Sequence, residues 1–243
     1  MRYGMKLKAC VVGLVFGTLL PTSVQAASLD SLEALSQANF LRLSENLAAA
    51  IHYKAVGPAE PLGLIGFDIG LELSSTEIDE ALFDEASSGD FGTPEIFVPR
   101  IHVNKGLPFG LDVGAALSVV PDTDITVISG ELRYALLSGG AVTPSVGVRA
   151  SHAILAGLSE IDMSSSALEI TASKGFIIFT PYVGAGIVKS SVTPNNLGAL
   201  TKESFDQTKL YVGVTISLGV ALTLEIDRTG DFRTYSAKFG FRF

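Results

Sequence analysis

From residue 62 onward the chain alternates apolar residues with polar or small ones at a period of two. Ile65, Phe67, Ile69, Leu71 and Leu73 are separated by Gly66, Asp68, Gly70 and Glu72. Leu111, Val113, Ala115, Leu117 and Val119 are separated by Asp112, Gly114, Ala116 and Ser118. Leu210, Val212, Val214 and Ile216, and then Val220, Leu222, Leu224 and Ile226, repeat the pattern. Such alternation predicts strands with one apolar face. Marked in this way, ten strands cover 62–74, 94–105, 108–120, 125–137, 141–155, 160–173, 176–189, 205–217, 219–228 and 232–243. The weakest is 160–173, where "DMSSSALEI" alternates poorly. Most exceed the roughly five or six residues usual for globular strands. They match the roughly 9 to 11 that a tilted strand needs to cross a bilayer.

The connections alternate in kind. Tight ones lie near 104–110, 138–140, 173–175 and 217–219; longer or more polar ones lie at 75–93, 121–124, 157–160, 190–204 and 228–231. Short turns at one end and longer loops at the other are the pattern of a transmembrane barrel, with the short turns periplasmic. An even strand number places every tight turn on one side, together with both chain termini. The expected fold is therefore all-β: an antiparallel up-and-down transmembrane β-barrel of about ten strands over 62–243. Backbone amides in hydrocarbon must all be paired, which forces strands there to close.

Residues 28–56 follow another period. Leu29, Leu32 and Leu35, then Phe40, Leu43, Leu47 and Ile51, recur at spacings of three and four, and Asp30 with Glu33 forms a capping pair. One or two amphipathic helices are predicted, ended by "GPAEPLG" at 57–63. The polar face has Arg42 and Lys54 against Asp30, Glu33 and Glu45, not the basic face of a membrane-surface helix. The segment is expected to plug the barrel or to dock on its periplasmic side.

Residues 1–26 read as a secretory signal: basic Arg2, Lys6 and Lys8, an apolar run from Ala9 to Leu20, and small residues before a cleavage point after Ala26. The single cysteine, Cys10, lies within it, so the exported chain has no disulfide. All 25 acidic residues but only 14 of the 17 basic ones lie beyond residue 26, giving a formal charge of −11. That balance excludes nucleic acid as an expected partner. A lipocalin-like soluble barrel would carry its charges outside. A charged fraction of only 17% and the terminal Phe243 favour lipid there instead.

The last residues, "TYSAKFGFRF", place Tyr235, Ala237, Phe239, Phe241 and Phe243 on one face. In this the chain resembles the small bacterial outer-membrane β-barrel proteins, whose final strand commonly ends on an aromatic. "TPSVGVRA" (143–150) and "TPYVGAGI" (180–187) are near-repeats of a kind common in such barrels. "PAEPLGLIGFDIGLEL" resembles a group of proteobacterial outer-membrane proteins with no assigned activity. The resemblance implies residence in the Gram-negative outer membrane, contact with its lipid, and recognition of Tyr235, Phe239, Phe241 and Phe243 by the barrel-assembly machinery.

With the apolar residues outward, the lumen receives Asp68, Glu72, Arg100, His102, Asp112, Glu131, Arg133, Arg149, Glu169, Lys209, Glu225, Asp227, Lys238 and Arg242. Both signs are present in similar numbers, which points to a paired internal network, since an unpaired interior charge is costly, and not to an ion-selective ring of one sign. No catalytic constellation is recognised, and no cofactor or metal site is expected. Ser151 and His152 are neighbours on a strand and face opposite ways. The acidic loop 75–93 (Glu77, Asp79, Glu80, Asp84, Glu85 and Asp90) lacks calcium-loop spacing. Outer-membrane proteases with ten strands place acids and a histidine at the outer rim; His152 with this loop is the nearest match, and solvated loop charge is the better reading. Gly184 and Gly186 read as barrel packing. The function expected is a small channel or transporter with a largely filled or helix-gated lumen; the alternative is a loop-presenting binding or structural protein with a closed lumen. A barrel hydrolase ranks last.

Overall fold

The structure, a computed structural model, describes residues 31–87, 93–119 and 125–243. The signal segment, the turn at 121–124 and part of the acidic loop, Asp90 included, lie outside these residues. Ten strands follow one another: β1 (Phe67–Glu77), β2 (Glu95–Gly106), β3 (Leu111–Val119), β4 (Thr126–Ser138), β5 (Ser145–Ala156), β6 (Ile161–Ser173), β7 (Phe179–Pro194), β8 (Glu203–Ser217), β9 (Ala221–Thr229) and β10 (Phe232–Arg242). Each pairs antiparallel with its neighbours in sequence, and β1 pairs with β10, so the sheet closes into a barrel without an edge. At that seam Asp68 lies opposite Arg242, Leu71 opposite Phe239 and Thr76 opposite Thr234.

The alternation of the sequence becomes the two faces of the wall. Ile69, Leu71, Ile101, Val103, Val113, Leu117, Leu132, Val183 and Ile187 are exposed, while the charged residues between them are buried. On β7 the outward apolar run spans Phe179 to Ile187. Eight steps at about 3.3 Å give roughly 26 Å along the strand, or about 20 Å along the axis at a tilt near 40°. Exposed apolar residues at the tight turns, Phe109, Val142 and Ile177, extend this towards the roughly 25 Å band of an outer-membrane barrel.

The strand bounds depart most from the sequence reading at β1, at β5, which begins at Ser145 and not at 141, and at β7, which runs to Pro194 and not to 189. The first strand begins at Phe67, not at 62, because residues 61–66 turn: Gly63 has φ +75° and the Gly66 N–H bonds to Gly63 O at 3.1 Å. β6 is a regular strand despite its serines. Its upper outward residues, Asp162, Ser164 and Ser166, lie beside Lys189, Ser191 and Thr193 of β7 and Ser204 and Asp206 of β8. Here the wall rises above the apolar band: its outer face is polar, while Ile161, Met163 and Val192 face inward.

Helix α1 (Gln37–Ile51) is capped by Ser36, whose hydroxyl accepts from the Asn39 N–H. It buries Phe40, Leu43, Leu47 and Ile51, worth roughly 1.5–3 kcal/mol each. These pack with Leu82 and Phe83 of the short helix α2 (Glu80–Ala86), and with Val98, Val127, Leu155, Ile161, Met163 and Val192 on the wall. A single 3₁₀ turn (Leu32–Ala34) adds Leu32 and Leu35. Those wall residues lie near the long-loop ends of their strands, so α1 sits in the mouth at that end. The helix stops at His52, whose ψ of 156° is extended. The chain then runs through the barrel to Phe67 without regular structure. Both termini were expected at the tight-turn end. Phe243 is there, paired with Phe67, but the Ser31 N–H bonds to Ala86 O beside α2, at the opposite end.

Candidate functional site: the charged lumen and the segment within it

Strand geometry alone sends the predicted charges inward, because successive side chains point to opposite faces. Asp68, Glu72, Arg100, His102, Asp112, Glu131, Arg133, Arg149, Glu169, Lys209, Glu225, Asp227 and Lys238 are all buried, and Arg242 is nearly so. They form separate clusters along the barrel. Near the tight turns Asp68 holds Lys238 at 3.2 Å and Arg242 at 3.0 Å. On β3 and β4, at the same end, Arg133 forks onto Asp112. In the middle Glu72 takes Arg100 at 2.6 Å through one oxygen and His102 through the other. Across from it, Glu131, Arg149, Glu169 and Lys209 make a continuous chain of ion pairs at 2.6, 3.1 and 2.7 Å. Glu225 accepts the Tyr182 hydroxyl at 2.7 Å.

The strands supply seven carboxylates and six permanent cations to this set. The seventh cation is Lys54, from the segment that enters the barrel. Its ammonium donates to both oxygens of Asp227, at 2.9 and 3.2 Å, and to Thr234 Oγ1 at 3.3 Å. The segment's backbone completes the other cations. Arg100 donates to Ala50 O and His52 O, Lys238 to Ala55 O, Arg133 to Pro58 O, and Arg242 to Glu60 O. Two of its N–H groups are also used, Ala59 bonding to Ser173 Oγ and Leu62 to the Asp112 carboxylate. An arginine fork that serves a carboxylate on one side and a carbonyl on the other has few donors left over. An eight-stranded barrel is filled by side chains alone; ten strands leave room for this one extended strand of backbone.

Lys54 could not be found from sequence, because the helical period appeared to continue through it. Tyr182 and Tyr211 were missed for a different reason. Each lies opposite a glycine on its partner strand, Tyr182 against Gly213 and Tyr211 against Gly184. Both rings fold over the bare backbone, where an added Cβ would come within 2.4 and 2.2 Å of them. The recurring glycines of these strands are thus the floor for two inward tyrosines, an arrangement that covers glycine in sheets.

The histidine–serine hydrogen bond found among the described residues, His152 Nδ1 to Ser166 Oγ at 2.9 Å, is on the exposed outer wall. The acids of α2 belong to the β1–β2 connection, away from it. Among the described residues there is also no cluster of three or more metal-ligating side chains. At the loop end, Arg42 of α1 reaches Asp231 at 3.0 Å and lies 4.7 Å over the Phe232 ring; its hydrogen bond holds the Asp231 carboxyl below the usual carboxylate range.

No family model matches the sequence, and no curated protein matches it. Solved barrels are similar in shape. The N-terminal β-barrel domain of Pseudomonas aeruginosa OprF is 12% identical, over 72% of this chain and 97% of that one, with a TM-score of 0.37. Neisserial surface protein A is 10% identical, over 72% and 95%, with a TM-score of 0.32. Ail of Yersinia pestis is 9% identical, over 73% and 98%, with a TM-score of 0.29. At such scores they add nothing to what closure and the apolar belt establish. The chain has the fold of an outer-membrane β-barrel.

Proposed function

We propose that this protein is an integral outer-membrane barrel whose lumen is closed by its own N-terminal segment, and that its work is done by binding at the long-loop face. The observation that carries this is the passage of residues 50–62 through the lumen, tied to the wall at successive levels. Below the apolar seal formed by α1, the remaining space is crossed by paired charges. A lumen occupied in this way is expected to carry no ion current. A gated channel is the competing reading, and it requires the segment to leave. Leaving would separate Lys54 from Asp227 inside the barrel and strip carbonyls from Arg100, Arg133, Lys238 and Arg242, with a buried unpaired charge costing several kcal/mol.

The test is single-channel recording in a planar bilayer. The intact protein is expected to give no conductance steps, and a variant lacking 28–56 is expected to give them where it assembles. Sustained steps from the intact protein would overturn the closed reading.

A further inference from the structure

We infer that the N-terminal segment is delivered through the barrel to the external face, so that Ser31 and the start of α1 stand at the cell surface although the segment enters β1 from the periplasmic end. The partners of the segment, read from β1 backwards, climb the barrel in order. Gly66 O accepts the Gly106 N–H at the tight-turn end. Leu62 and Glu60 then meet Asp112 and Arg242, at the tight-turn ends of β3 and β10. Ala55 meets Lys238, and Lys54 meets Asp227 and Thr234, nearer the opposite end of β9 and β10. Glu45 O accepts from Gln207 near the top of β8. Arg42 reaches Asp231 in the β9–β10 turn, Gln37 reaches Thr201 in the β7–β8 loop and Glu203 at the start of β8, and Asn39 reaches Glu85 of α2. Ser31 ends the climb against Ala86. Along β10 alone the contacts rise in order, from Arg242 through Lys238 to Thr234, as the segment is followed back from Glu60 to Lys54. The segment therefore does not enter and fold back. With short turns periplasmic and long loops external, Ser31 is outside.

The chain offers a clean assay, because its one cysteine, Cys10, precedes the proposed cleavage point. Single-cysteine variants Ala38→Cys and Glu33→Cys place a thiol at exposed positions of the segment. Ser159→Cys marks the external β5–β6 turn and Val142→Cys the tight β4–β5 turn. Intact cells are treated with a membrane-impermeant maleimide, and the heat-modifiable, assembled form is scored before and after permeabilisation. The two segment variants are expected to label in intact cells to the same extent as Ser159→Cys, with Val142→Cys labelling only after permeabilisation. Segment labelling that follows Val142→Cys overturns the inference. The inference rests on the threaded segment of the closed-lumen reading, but the two fail separately. A silent bilayer with segment thiols reached only from the periplasm would remove surface exit and leave closure standing; conductance with surface-labelled thiols would do the reverse.

Discussion

The pair between Lys54 and Asp227 joins residues 173 positions apart across the inside of the barrel, and neither side chain is exposed at all. Lys54→Met keeps the length of the side chain and removes its charge. The Asp227 carboxylate would keep the Thr229 hydroxyl at 3.0 Å and lose its cation in a place water does not reach. Breaking a buried pair in this way costs about 3–5 kcal/mol, a drop of about two to three and a half powers of ten in the folded-to-unfolded ratio at 1.4 kcal/mol per tenfold. Asp227→Leu alone is expected to cost a similar amount by stranding Lys54. The double variant Lys54→Met with Asp227→Leu removes both charges, and replacing a whole buried pair by apolar residues is often close to neutral. The cycle should therefore show a large coupling. The chain has no tryptophan, so unfolding in detergent with guanidinium is followed by the far-ultraviolet circular dichroism of the strands, beside the gel shift of unheated samples. Single effects that simply add, or a Lys54→Met cost below about 1 kcal/mol, would mean that the segment does not lie where these contacts place it.

Val113→Arg places a charge in the hydrocarbon band and is expected to cost about 2–4 kcal/mol, whereas Val113→Leu should be mild; unfolding in lipid vesicles distinguishes them. Gly240→Ala should sharply reduce the heat-modifiable form, because its Cβ would lie 2.1 Å from Ile69 O at the β1–β10 seam, and backbone cannot move aside there as a side chain can. Phe243→Ser is expected to lower the amount of assembled protein in cells while leaving the two backbone bonds to Phe67 intact, and Phe243→Tyr should not; equal amounts for the two would remove the aromatic from the assembly signal.

Most of the barrel was legible because its wall obeys a strict rule: one face meets lipid and the other meets charge. Val113 beside Asp112 and Leu71 beside Glu72 each announce their facing without any knowledge of the partner strand. Tyr235, Phe241 and Phe243 are exposed and Phe239 is half-buried, on the outward register the alternation gives them. Where the wall leaves the lipid the rule lapses, which is why Ser164 and Ser166 looked like a poor strand and lie in a regular one. The interior segment follows no period at all. Its fit comes from carbonyls, such as Pro58 O against Arg133, that every residue possesses and that no sequence pattern can advertise. Lys54 does bind through its side chain, yet its partner in β9 is fixed by the closing of the barrel and by nothing nearby in the chain.

The threaded segment also fixes an order of events. A helix with its side chains is about 10–12 Å across, and the finished lumen below α1 is filled by paired charges and one strand of backbone. Such a helix cannot be fed through afterwards. The leading end must already lie among the strands when β1 meets β10, so the last bonds to form are those of the seam, from Asp68 opposite Arg242 to Thr76 opposite Thr234. The ring is tied around its own thread, and a chain that closed too soon would hold seven carboxylates and six permanent cations with the segment's contribution shut out.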